Sequence, residues 1–222
     1  MIGFDIGGTK CAVSIGEEID GIMHILDKKV IPTDHSISGY EMIDKMCALA
    51  EEMTDDFSRI GISCGGPLDS RAGLIQSPPN LPGWDNVPIL QMLRDRFGLP
   101  TALCNDANAC ALAEYRFGAG RGTRNMVFLT FGTGMGAGII ANGQMLDGAC
   151  GFGGEVGHLR LAENGPVGFG KRGSFEGFCS GGGIARLAAS VIESAKENGE
   201  SSILFGESEI SAKTVALAAK KG

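Results

Sequence analysis

This 222-residue sequence predicts an α/β protein assembled from two similar units, and three observations carry that prediction. Each half opens on a short apolar strand that runs into a glycine-rich turn and out into a second strand, Ile2 to Ile15 in the first half and Met126 to Ala141 in the second. Stretches of helical period alternate with apolar runs of strand length between and after those hairpins. Hydrophobic residues make up 43% of the chain and charged residues 20%, which gives a sizeable core and excludes a disordered chain. Glycine fills 36 positions, about twice its usual share, while Gly plus Pro stays below the low-complexity range, so the glycines punctuate turns and ligand loops.

In chain order, Ile2 to Ile6 and Cys11 to Ile15 form the first hairpin around the turn Gly7-Gly8-Thr9-Lys10, and a strand near Ile25 to Ile31 completes an antiparallel start. Ser38 and Glu41 have capping-box spacing, and Ile43, Met46, Cys47, Ala50 and Met53 recur at helical intervals, which predicts a helix over 39–53. A strand over Arg59 to Ser63, a Gly-Gly-Pro turn at 65–67, a Pro-rich loop at 78–83, a helix from near Pro88 and a strand over Thr101 to Cys104 follow. An Ala-rich helix starts at Asn105-Asp106 and ends near Gly118. The second unit repeats the plan with strand Met126 to Phe131, loop Gly132-Thr133-Gly134-Met135-Gly136, strand Ala137 to Ala141 and a turn at Asn142-Gly143. Residues 148–183 are glycine-rich and read as a functional loop region or a set of short strands. Ile184, Leu187, Ala188, Val191, Ile192 and Ala195 then mark a helix stopped by Asn198-Gly199, and Ser211 caps another that runs into Lys220-Lys221-Gly222. The second sheet lacks the elements that would complete it, so the chain reads as truncated.

A net charge of −7 has the wrong sign for binding nucleic-acid phosphates. The apolar runs are too short for a membrane span, and MIGFDIGGTK enters a strand directly with no targeting signal. Seven cysteines, an odd number without a CxxC pair, read as reduced and mostly buried thiols. These features predict a cytoplasmic protein with neither a nucleic-acid nor a membrane partner.

The loops hold the candidate chemistry. Asp5 at a strand end before Gly7, Gly8 and Thr9 offers backbone N–H groups and a hydroxyl to an anion and a carboxylate to hydrated Mg2+, or else forms an ordinary hairpin turn. The second such loop at Gly132-Thr133-Gly134 favours the anion reading, because a pair of hairpins clamps a polyphosphate. GTGMGA at 132–137 has the loose Rossmann spacing but is followed by a strand rather than a helix. Gly165 to Lys171 has P-loop spacing, but Arg172 stands where Ser or Thr must ligate Mg2+. Asp106 either caps its helix or serves as a general base at a strand end. Glu155, His158 and Glu176, on glycine-flanked loops, suit a polyhydroxylated ligand, although a lone histidine is as often structural.

Asp5-Ile6-Gly7-Gly8-Thr9-Lys10, Gly65-Gly66-Pro67, Asn80-Leu81-Pro82-Gly83-Trp84, Asn105-Asp106, Phe131-Gly132-Thr133-Gly134 and Gly154-Glu155-Val156-Gly157-His158, in this order and spacing, resemble the ROK family of sugar kinases and sugar-responsive repressors. The resemblance covers nearly the whole chain. It implies an actin-like, hexokinase-like architecture of two RNase H-like domains with mixed sheets, here residues 1–105 and an incomplete 106–222, with sugar and nucleotide in the cleft between them. It implies ATP-dependent phosphorylation of a hexose or hexose derivative, usually at the 6-hydroxyl, with Asp106 as catalytic base. Gly65, Gly66, Asn80, Asn105, Asp106, Glu155, His158 and Glu176 then hold the sugar. Asp5, Gly7, Gly8, Thr9, Lys10, Gly132, Thr133, Gly134 and Gly136 form the phosphate region, with Asp5 on Mg2+ through water. The complete protein is expected to be a homodimer.

Two departures qualify these implications. The family's zinc motif CxCGxxGCxE aligns with Val167 to Glu176, and its cysteine positions hold Val167, Phe169 and Ser174. One remaining ligand, His158, cannot make a four-coordinate site, so no zinc is expected and the loop should be held by packing of Val167, Phe169 and Phe175. Some zinc-less members take polyphosphate as donor. The missing C-terminal part completes the family's nucleotide pocket, so this chain is expected to bind sugar and to turn over ATP poorly or not at all. The alternative is a sugar sensor of the ROK repressor type, against which stand the retained Asp106 and a start in the first strand without a basic helix-turn-helix.

Overall fold

Strand β1 (Ile2–Ile6) shows how the first core forms, because Ile2, Phe4 and Ile6 are almost fully buried while Asp5 between them is exposed. The computed structural model describes residues 1–221, and packing divides them into two units, Met1–Met126 with Ile139–Gly151, and Val127–Gly138 with residues 152–221. The expected boundary at 105/106 is not where the packing divides. The helix beginning at Asp106 lies against strands of the first unit and stays with it.

In the first unit β2 (Lys10–Ile19) and β3 (Ile22–Pro32) follow β1 as an antiparallel meander. Helix α1 (Gly39–Met53) has the boundaries its periodicity predicts. Ser38 Oγ accepts the Glu41 N–H, the Glu41 carboxylate accepts the Ser38 N–H, and Met42, Ile43, Met46, Cys47 and Ala50 are buried. That reciprocal cap, with both Ser38 groups donating to it, pulls the Glu41 carboxyl below the usual range. Next come β4 (Ile60–Cys64), the short pair β5 (Leu68–Asp69) and β6 (Leu74–Ile75), α2 (Ile89–Phe97), β7 (Thr101–Asn105) and α3 (Asp106–Phe117). The main sheet has the order β3-β2-β1-β4-β7, with β1, β4 and β7 parallel. β3 is longer than expected. It is an edge strand whose Ile22, Ile25, Leu26 and Val30 are all exposed, so it lacks the alternation that marks a half-buried strand.

Strands β8 (Met126–Phe131), β9 (Met135–Ala141) and β10 (Gln144–Met145) form a second sheet in the order β10-β9-β8. β9 begins at Met135, so the loop after β8 is shorter than expected and Gly136 lies in the strand. The glycine-rich region of the second unit contains a 3-10 turn at Val156–His158 and the strand pair β11 (Val167–Gly168) and β12 (Lys171–Arg172). Helices α4 (Phe175–Cys179), α5 (Gly181–Glu197) and α6 (Ala212–Ala219) follow, capped by Ser174, Ser180 and Ser211. Gly199, at a φ of 69°, terminates α5 as expected. The last helix, expected to run into Lys220-Lys221-Gly222, stops at Ala219, and Gly222 lies outside the described residues. Cys11, Cys47 and Cys64 are buried, whereas Cys110 and Cys150 are exposed, so fewer thiols are interior than the sequence suggested. Among the described residues no helix is long and apolar enough to cross a membrane.

Candidate functional site

The carboxyl ends of three parallel strands bring most of the first unit's predicted residues to one sheet edge. Ile6, Cys64 and Asn105 are in register across β1, β4 and β7, so Gly7, Gly65 and Asp106 are the next residues out. Open α/β sheets bind ligands outside such an edge. Burial pushes the Cys64 thiol up to about 12, and the nearby Asp106 and Asp5 carboxylates add to the shift. Cys104 is pushed up to about 11 by burial, then by Asp147 and Asp106. Both thiols stay protonated at neutral pH and are not nucleophiles.

The Gly7-Gly8 turn is held from both sides. Gly7 N–H donates to Lys10 O at 3.2 Å, and the Gly7 carbonyl accepts the Thr33 hydroxyl. His35 Nε2 lies 2.8 Å from Gly8 O. A side chain at Gly8 would place its Cβ 2.5 Å from Asn80 O and 2.6 Å from Asn80 Cβ, so only glycine lets the 78–83 loop lie on the turn. That loop is anchored by Trp84, which is buried and fits against the space left by the missing side chain of Gly39. Thr33 and His35 escaped sequence reasoning because nothing local links them to a turn 26 and 27 residues earlier. Thr9 and Lys10 are exposed, and Lys10 opens β2 rather than closing the turn. The exposed Asp5 carboxylate has no hydrogen bond or ion pair within the described residues.

Asn105, not Asp106, caps α3, because its Oδ1 accepts the Ala107 and Asn108 N–H groups at 3.0 and 3.4 Å. Its Nδ2 remains free to donate and lies 3.6 Å from where a Gly66 side chain would begin. Asp106 is exposed in the first turn, with Oδ1 accepting the Ala107 N–H at 2.8 Å. Oδ2 lies 3.9 Å from the Cβ position of Gly65. One carboxylate oxygen is thus fixed and the other is left open beside a glycine. One turn on, the buried Asn108 donates from Nδ2 to Asp147 at 3.2 Å, a contact across 39 residues that sequence spacing does not signal.

In the second unit Glu155 precedes the 3-10 turn and His158 ends it, with His158 Nε2 3.7 Å from Glu155 Oε2. Lys171 Nζ donates to His158 O at 2.6 Å. Phe169 stands edge-on to the His158 ring at 5.3 Å between centroids. The expectation that Val167 and Phe169 pack the loop is corrected, since Phe169 is 75% exposed and Val167 41%. Phe175 does pack, edge-on to Phe131. The fully buried Ser174 does most of the holding, because its Oγ accepts the Gly177 N–H at 3.1 Å to cap α4 and reaches Gly168 O at 3.4 Å. Glu176 Oε2 accepts the Met135 N–H at 3.1 Å, which joins it to the loop after β8. Gly132 O accepts the Gly181 N–H at 2.8 Å, and the Arg186 guanidinium lies 3.2 Å from the Cβ position of Gly182 beside Thr133 O. Arg186 is a residue that sequence reasoning missed, because the apolar pattern of α5 does not single it out. Gly165 to Lys171 runs through β11 and the turn into β12 with no helix after it, so its P-loop spacing is accidental.

The sequence profile of the ROK family matches residues 1–222. The glucokinase of Streptomyces coelicolor is 32% identical over 227 residues, covering 100% of this chain and 70% of that protein. The N-acetylmannosamine kinase of Citrobacter koseri is 37% identical over 188 residues, covering 84% of this chain and 63% of that protein. The crystal structure of a ROK family glucokinase from Streptomyces griseus in complex with glucose and AMPPNP aligns with a TM-score of 0.74 at 33% identity, covering 100% of this chain and 71% of that one. The chain therefore spans about two thirds of the length of these relatives. Matched along its whole length, and sharing the actin-like sugar-kinase fold of that structure, the chain belongs to the ROK family.

Proposed function

We propose that the chain carries the sugar site and the phosphate-facing turns of a sugar kinase that transfers the γ-phosphoryl group of ATP to the 6-hydroxyl of a hexose or hexose derivative. The observation that carries this reading is Asp106 at the same strand-end edge as the Gly7-Gly8 turn, with one oxygen fixed and one open. In this reading the sugar hydroxyl approaches the open Oδ2 and gives it its proton. The hydroxyl oxygen bonds to the γ-phosphorus as the bond to the bridging oxygen breaks, and ADP leaves with that electron pair. The nearby N–H groups and loops contribute positioning and electrostatic stabilisation, which are most of what phosphoryl transfer requires.

Asn105 Nδ2, Asn80 and the Gly65-Gly66 backbone are assigned to the sugar, as are Glu155, His158 and Glu176. Gly7, Gly8, Thr9 and Lys10, and Gly132, Thr133 and Gly134, serve the donor phosphates, with Gly136 supporting them from β9. The free Asp5 carboxylate fits Mg2+, a hard cation usually held by one or two carboxylates, substrate phosphates and water. When bound, Mg2+ neutralises charge on the phosphates. The same reading makes the complete protein a cytoplasmic homodimer without nucleic-acid or membrane partners.

Zinc does not fit the loop around His158. Two of the three cysteine positions carry hydrocarbon side chains, and the third, Ser174, has its hydroxyl committed to the α4 cap. Purified protein is expected to hold no stoichiometric zinc and to keep its melting temperature in chelator, whereas Ser174→Ala costs about 1–2 kcal/mol through the lost cap. Metal analysis and thermal denaturation check both, and one zinc per chain would contradict the reading. The functional proposal itself is tested by calorimetric titration with glucose, mannose and N-acetylmannosamine. Saturable binding of at least one supports it, and binding of none contradicts it.

A further inference from the structure

We propose that Glu176 is a positioning residue through which a bound sugar orders the phosphate loop Gly132-Thr133-Gly134. The inference rests on the sugar-kinase reading above. Residues 174–181 grip this loop at both ends. On one side the Glu176 carboxylate accepts the N–H of Met135, the residue that follows the loop, at 3.1 Å. On the other, Gly181 N–H donates to Gly132 O at 2.8 Å. The two grips are themselves joined, because Ser180 N–H donates to Glu176 O at 3.0 Å and Ser174 fixes the start of α4 from a buried position. Close approach at the loop depends on glycine, since a Cβ on Gly134 would lie 3.1 Å from Glu176 Oε2 and one on Gly157 2.8 Å from Met135 O.

Only Oε2 of Glu176 is engaged within the described residues, which leaves Oε1 for a ligand hydroxyl. A hydroxyl donated to Oε1 fixes the plane of the carboxylate and so strengthens the Oε2 bond to Met135. The loop that is to receive phosphate is then ordered before phosphate arrives. By linkage, phosphate held on the loop tightens the sugar to the same degree.

Amide hydrogen exchange over residues 132–136 tests this on the 222-residue chain, with and without the sugar that calorimetry shows to bind. Saturating sugar is expected to slow exchange there by about tenfold, within the usual range of coupling between sites. Glu176→Gln, whose amide oxygen still accepts from Met135 but whose NH2 group cannot accept the ligand hydroxyl, should fold normally and lose the protection. Glu176→Ala should lose it at sugar concentrations raised to saturation. Unchanged exchange in the wild-type chain with sugar bound overturns the proposal without any variant, as does protection that survives in Glu176→Ala. Failure of every sugar to bind instead overturns the sugar-kinase reading, and this inference with it.

Discussion

Asp106→Asn, in a chain extended to the length of its kinase relatives, is expected to lower sugar-dependent ATP turnover by about 10²–10⁴-fold, the usual contribution of a positioned general base, while leaving sugar affinity nearly unchanged. The two effects separate because the carboxylate has two jobs. Oδ1 accepts the Ala107 N–H in the first turn of α3, and the amide oxygen of asparagine can do the same, so the helix start and the adjacent Asn105 cap survive. Oδ2, open beside Gly65, becomes an NH2 group that cannot take a proton. ADP release measured beside calorimetric sugar titration gives both numbers. Turnover close to wild type would remove Asp106 from the chemistry, and loss of sugar binding with unchanged folding would make it a binding residue.

Trp84→Ala is expected to destabilise the first unit by about 3–5 kcal/mol, the range for removing a large aromatic from a well-packed core. Trp84 is 3% exposed, and Gly39 at the start of α1 leaves the room for its ring. Deleting the ring opens a cavity between α1 and the Asn80 loop. Because that loop lies on the Gly8 turn, the sugar affinity should fall as well. Urea denaturation followed by far-UV circular dichroism measures the first effect, since Trp84 is the sole tryptophan and its fluorescence is lost with it. A change under about 1 kcal/mol would show that the loop is held by its backbone bonds alone, such as Ser77 N–H to Trp84 O at 2.9 Å.

What the sequence made legible was mostly local. The ends of α1 follow from a capping box and a 3.6-residue pattern, and β1 from strict alternation, because both signals lie within a few neighbouring residues. The site motifs were legible for the same reason, each being a turn or a strand end. The partners that hold them were not. Thr33 and His35 on the first turn, Asp147 on Asn108, and Glu176 on Met135 are contacts across 26 to 41 residues that no spacing rule encodes. The strand β3 was legible but its length was not, and the packing of residues 167–175 was misjudged on the assumption that apolar side chains mark the inside. Phe169 is exposed, while the hydroxyl-bearing Ser174 is fully buried with its hydrogen bonds made. For Asp106 the sequence left cap and base open, and the geometry gives the cap to Asn105.

Sugar-dependent ADP formation in the presence of Mg2+, surveyed across hexoses and N-acetylhexosamines, decides whether this site transfers phosphate. A chain extended to the length of its kinase relatives is expected to turn over one or a few of these sugars and nothing without sugar, while the 222-residue chain binds the same sugars with little or no turnover. Saturable sugar binding by the extended chain with no ADP formed, and no sugar phosphate formed with polyphosphate as donor, would contradict the kinase and leave a sugar-binding sensor.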